Sequence, residues 1–78
     1  MEKSEILKKV GKRIKEVRLQ KGISQADLVG RMEGNIDATN ISRIEAGRTN
    51  PTVYTLFRIA EAMEVSPKDL LDIEISQN

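Results

Sequence analysis

Thr39, Asn40 and Arg43 are the residues of this chain best equipped to recognise another molecule. An arginine can fork onto O6 and N7 of a guanine, an asparagine onto an adenine, and a threonine can offer its hydroxyl to a base edge or its methyl to thymine. Ala38, just ahead of them, is small enough to allow close approach and to touch a thymine methyl. At about 100° per residue around a helix with Ile41 turned inward, Ile44 falls on the same side and Thr39 and Arg43 fall almost opposite. Asn40, Ser42 and Ala46 flank that strip. The strip sits near the start of a short helix, the end at which a reader helix meets base edges. An ordinary solvated helix face carries the same residue types, so the elements around it must decide between the two.

Those elements are two short capped helices joined by a tight turn. Ser24 is followed three residues later by Asp27, close to a capping box, and Leu28, Val29 and Met32 give helix 2 its buried side. Glu33-Gly34-Asn35 is a turn in which Gly34 and Asn35 tolerate positive φ. Asp37 is a carboxylate N-cap for helix 3, about nine residues long, and Gly47 is its stop. Helices 2 and 3 therefore form a helix-turn-helix, a shape that puts its second helix into the major groove of DNA.

Ser24 and Gln25 start helix 2, where free backbone amides and the dipole can receive a phosphate. The Gln25 side chain either adds a donor there or acts as a second capping group. Arg48, Thr49 and Asn50 would meet the DNA backbone beside the groove if helix 3 lies in it; otherwise they are an ordinary polar loop. Glu45 falls beside Ile41 and Ile44, away from the groove, so it needs a cationic partner. Arg18, at the edge of the helix 1 stripe, is the candidate, and both are read as structural; otherwise they are two unrelated surface charges.

Helix 1 is expected over residues 5–21, capped by Ser4, ended by Gly22, and buried through Ile6, Val10, Ile14 and Val17. Pro51 makes 48–51 a loop. Thr52 caps helix 4, with Leu56, Ile59, Ala60 and Met63 inward, and Ser66-Pro67 starts a short helix 5 that carries Leu70 and Leu71 onto the core. Residues 72–78 read as a frayed tail or a short strand. Phe57, off the helix 4 stripe, and Ile73 and Ile75 in the tail are candidate dimerisation residues. The expectation is an all-α, five-helix bundle in one domain, residues 1–78, with its core over 6–71.

Composition narrows the function classes. Among 78 residues there is no cysteine and no histidine, which removes disulfides, thiol catalysis and the usual general base and zinc ligands. No catalytic set, metal site or cofactor site is expected. No apolar run approaches the ~20 residues of a membrane span, so a cytoplasmic, nucleoid-associated protein is expected. The net charge is only +1, but residues 1–31 are rich in cations and 61–78 in anions. That polarity fits one face toward phosphate and another away from it, or simply two solvated faces.

The chain resembles the phage-repressor and Cro type of helix-turn-helix regulator, the xenobiotic-response-element class of bacterial transcription factors. The likeness runs from Val10 to Leu71. It is carried by Ile14 through Arg18, Gly22-Ile23-Ser24-Gln25, Leu28, Ile41-Ser42-Arg43-Ile44-Glu45, Gly47-Arg48 with Asn50-Pro51, and Leu56 through Ala60 with Met63 and Val65. The resemblance implies a five-helix bundle, a phosphate contact by Gln25, a DNA-facing set of Ala38, Thr39, Asn40 and Arg43, and an internal Arg18–Glu45 pair. It also implies a homodimer on a palindromic or direct-repeat operator in double-stranded DNA, with a toxin or RNA polymerase as candidate further partners. An antitoxin-like protein-interaction module on the same fold is the alternative. The turn before helix 3 is longer than the family's common form. The chain stops soon after the bundle, so no sensor or protease domain is expected.

Overall fold

Helix α1 begins earlier than its capping signal suggests. In a computed structural model that describes residues 1–34 and 36–75, α1 runs Lys3–Gln20, with Glu2 at the N-cap position and no side-chain cap. The Glu2 carbonyl already accepts from the Ile6 N–H at 3.1 Å, so Ser4 lies inside the first turn and does not cap it. Val10, Ile14 and Val17 are buried, whereas Ile6 is 40% exposed and does not extend the core stripe as expected. The helix outruns the surface that covers it. Gly22, at φ +69°, turns the chain after α1 in the left-handed region open to glycine.

Helix α2 spans Gln25–Arg31, only seven residues. A helix of that length is unstable alone, so it depends on its cap and on its buried face. The Asp27 N–H donates to Ser24 Oγ at 2.9 Å and the Ser24 N–H to Asp27 Oδ2 at 3.2 Å, completing a capping box. Leu28 is fully buried, a burial of about 1.5–3 kcal/mol, which exceeds the ~1 kcal/mol of a typical cap. Met32 is buried just past the helix end, and Val29 is half-buried.

The cap carries a pH dependence. Hydrogen bonds from the Ser24 hydroxyl and backbone hold the Asp27 carboxyl below its ordinary value of 3.8. A depressed carboxylate stabilises above its unfolded-state value and loses that contribution as pH falls through the folded-state value. Acidification below about pH 4 is therefore expected to lower the protection of the α2 amides relative to their intrinsic exchange rates, and Asp27→Asn to show faster exchange already at neutral pH. Equal exchange in the two proteins at neutral pH would contradict this.

Helix α3 is Ala38–Glu45, α4 is Val53–Met63 and α5 is Pro67–Leu70. Thr52 Oγ1 accepts from the Thr55 N–H at 3.1 Å to start α4, and Pro67 occupies the first turn of α5. Buried residues from all five helices, with Ile23 from the α1–α2 connection and Met32, make one cluster. Leu70 is fully buried, but Leu71 is 51% exposed. The one-turn α5 ends at Leu70, and the next residue turns to solvent instead of joining the core.

No strand forms among the described residues. Over 72–75 Ile73 packs against the core and the Lys9 ammonium donates to the Glu74 carbonyl at 3.1 Å, while in α5 the Asp69 carbonyl accepts from Arg13 Nε at 2.7 Å. The remainder of the strand or frayed tail expected over 72–78, residues 76–78, and the backbone of Asn35 lie outside the described residues.

Candidate nucleic-acid interface

Both ends of α3 are fixed by local chemistry. At the start, Asp37 Oδ1 accepts from the Asn40 N–H at 2.9 Å. At the end, Gly47 at φ +75° lets its own N–H reach the Ile44 carbonyl at 3.0 Å and the Arg48 N–H reach the Arg43 carbonyl at 2.9 Å. This is the paired closure of a Schellman motif. Between the two ends, Ala38, Thr39, Asn40, Ser42 and Arg43 are exposed, while Ile41, Ile44 and Glu45 are buried. Arg48, Thr49 and Asn50 follow directly and are exposed as well. Asn40, Thr49 and Asn50 line one cleft of about 300 Å³, together with Thr52 at the start of α4.

Beneath the exposed strip lies an ion pair. Arg18 and Glu45 are 5% and 8% exposed. Arg18 Nε donates to Glu45 Oε2 at 2.7 Å and Nη2 to Oε1 at 3.0 Å, while Nη1 donates to the Ile23 carbonyl at 2.7 Å. Gln25 Nε2 adds a bond to Glu45 Oε1 at 3.0 Å. A buried pair stands against its desolvation cost only with further hydrogen bonds around it, and here each guanidinium nitrogen and each carboxylate oxygen has at least one partner. The Glu45 hydrogen bonds push the Arg18 guanidinium above its ordinary value despite its burial, so it stays charged. The cluster ties α1, the start of α2 and the end of α3 together at one point. One amide hydrogen of Gln25 is committed inward, to Glu45.

Two glycines bring α3 close to α1. A Cβ on Gly11 would stand 2.6 Å from the Glu45 carbonyl oxygen, and one on Gly47 would stand 2.7 Å from Lys8 Cα. Gly11 escaped the sequence reading. A lone glycine inside a helical pattern was the available signal, since such a residue commonly marks close packing.

The candidate dimerisation residues are not gathered into one patch. Phe57, 55% exposed, lines a groove with Arg31, Tyr54 and Glu61. Ile75, 66% exposed, and the half-buried Ile73 line another with Met1, Ile6 and Leu71. The basic bias of the first helix is turned in part toward the acidic tail. Arg13 lies 4.0 Å from Asp72, beside the Lys9 and Arg13 bonds to the same segment. Its cations are thus not all reserved for an external phosphate.

Among the described residues no group of acidic side chains is placed to hold a metal ion, and no helix is long and apolar enough to cross a membrane. A short helix with an exposed polar strip, locked onto a second helix across a turn, defines a helix-turn-helix regulator. The helix-turn-helix family profile matches residues 14–70, and the chain belongs to this family, in its Cro/C1-type branch. It is 36% identical over 64 residues to the uncharacterized HTH-type transcriptional regulator y4dJ of Sinorhizobium fredii, covering 82% of this chain and 80% of that protein. It is 38% identical over 63 residues to the control protein C.BamHI of Bacillus amyloliquefaciens, covering 80% and 75%. Its fold matches the crystal structure of the restriction-modification controller protein C.AhdI from Aeromonas hydrophila with a TM-score of 0.81 at 27% identity, over 90% of this chain and 99% of that one.

Proposed function

We propose that the protein is a sequence-specific regulator that occupies an operator in double-stranded DNA as a homodimer. The carrying observation is the exposed strip of α3 above the buried Arg18–Glu45–Gln25 cluster, a polar reading edge on a rigid mount. Helix α3 enters the major groove, with Thr39, Asn40 and Arg43 facing base edges and Ala38 at the closest approach. Ser24, Gln25, Arg48, Thr49 and Asn50 hold the flanking phosphates, fixing register without reading sequence. A two-fold dimer presents two such helices to half-sites about ten base pairs apart. The likeness to two controller proteins favours control of restriction-modification genes as the setting.

Arg43→Ala is expected to cost about 1–3 kcal/mol on the preferred sequence and to relax preference at one base position. Gln25→Ala and Arg48→Ala should weaken all sequences alike. Anisotropy titrations on the preferred and scrambled duplexes separate the two classes, and an equal loss on both for Arg43→Ala would make it a phosphate contact. For the dimer, sedimentation at tens of micromolar, free and on DNA, is the check. A monomer under both conditions contradicts it.

A further inference from the structure

We propose that Arg58 is a positioning residue that clamps the turn between α2 and α3 and so sets where the reading helix begins. The inference rests on the reading of α3 as the DNA-contacting helix. Arg58 lies in mid α4, one turn after Tyr54, with its Cζ 5.8 Å from the centre of the Tyr54 ring, within the range of a cation–π contact. Gly34 also lies against the guanidinium. A Cβ at Gly34 would stand 3.1 Å from Nη2 and 3.5 Å from both Cζ and Nη1. Gly34 has φ +102°, a conformation that side chains rarely adopt, and it stands three residues before Asp37, the cap of α3.

Arg58 lines two clefts. One is shared with Arg31, Glu33 and Glu61, the other with Asn40 and Thr55. Its Nη2 is buried and has no hydrogen-bond partner among the described residues, and no carboxylate there pairs with it. Its approaches to Gly34 and to the Tyr54 ring are packing contacts, and a planar group against a backbone with no Cβ suits that role better than a flexible ammonium would. Helix α3 is then mounted at two points. The Arg18–Glu45–Gln25 cluster fixes its end, and Arg58 fixes the turn that feeds its start. Without the second mount the helix stays attached but its first turn, which carries Ala38, Thr39 and Asn40, is free to shift. Sequence-specific contacts demand that geometry, whereas general attraction to phosphate does not.

Arg58→Ala and Arg58→Lys test the clamp, the second keeping the charge while removing the plate. Both variants are compared with the parent well below any melting transition. In DNA-free protein, amide exchange at Asn40 and Ile41, whose N–H groups are bonded to Asp37, should rise about tenfold in both, with Ala46 to Arg48 unchanged. The probe for binding is the duplex that the parent protein selects from a random pool. Affinity for it should fall about five- to tenfold, with affinity for scrambled DNA and the salt dependence unchanged. Unchanged exchange at Asn40 and Ile41 would overturn the clamp. A parallel loss on both duplexes that Arg58→Lys restores would also overturn it, making Arg58 a phosphate contact. Should the parent protein not distinguish its selected duplex from scrambled DNA, the DNA-reading assignment fails by itself, and the exchange measurement still decides the clamp.

Discussion

Arg18→Ala is expected to lower the unfolding free energy by about 3–5 kcal/mol. Removing the guanidinium strands Glu45, 8% exposed, with only Gln25 Nε2 to hydrogen-bond its carboxylate, and leaves the Ile23 carbonyl without its Arg18 donor. The loss is large against the total, since a chain of 78 residues has about 4–12 kcal/mol to begin with. Urea denaturation of the variant would show it as a lower midpoint at similar slope. The double variant Arg18→Ala/Glu45→Ala should recover part of the loss, because it removes the stranded charge. A loss under about 1 kcal/mol for Arg18→Ala would place the pair with exposed ion pairs and contradict its role as the mount of α3.

Gly11→Ala is the second large effect, and its sign runs against propensity. In an open helix position alanine is better than glycine by about 1 kcal/mol. Here the new methyl would stand 2.6 Å from the Glu45 carbonyl oxygen and 2.8 Å from the carbonyl carbon, and nearer still to the Ile44 oxygen. All three are backbone atoms, so no side chain can swing aside and the two helices must part. A net loss of about 2–3 kcal/mol is expected, together with weaker binding to the selected duplex because α3 is displaced. Gly30→Ala is the control. Gly30 lies in α2 with nothing within 4 Å of an added Cβ, and the exchange should stabilise by about 0.5–1 kcal/mol. Thermal melting of the two variants should move in opposite directions. A stabilised Gly11→Ala would show that α1 and α3 are not in backbone contact.

The contrast between those glycines bears on what the sequence could reveal. Caps at Ser24, Asp37 and Thr52 were legible because a cap is a matter of three or four neighbouring residues. The all-helical fold and the helix-turn-helix followed from them and from the spacing of Leu28, Ile41, Ile44, Ile59 and Met63. Ile6 and Leu71 misled, since periodicity tells which side a residue faces but not whether another element reaches far enough to cover it. Ser4 misled for a related reason: a cap residue does not stop a helix that has already started at Lys3. Gly11 and Arg58 act through partners more than twenty residues away in sequence, Glu45 and Gly34, and no local pattern announces such contacts. The charge asymmetry was visible, but its pairing of α1 cations with the 69–74 segment was not.

The exposed strip of α3 was placed by angle alone, because a buried Ile41 and Ile44 leave Thr39 and Arg43 nowhere else to point. Its chemistry is tested most directly by selecting the purified protein on randomised duplex DNA and titrating the winners at several salt concentrations. The predicted result is a motif of two half-sites about ten base pairs apart, bound far more tightly than scrambled DNA, with one base position losing its preference when Arg43 is replaced by alanine. Weak binding without a motif, vanishing at moderate salt, would reduce the interaction to charge attraction and contradict a reading role for α3.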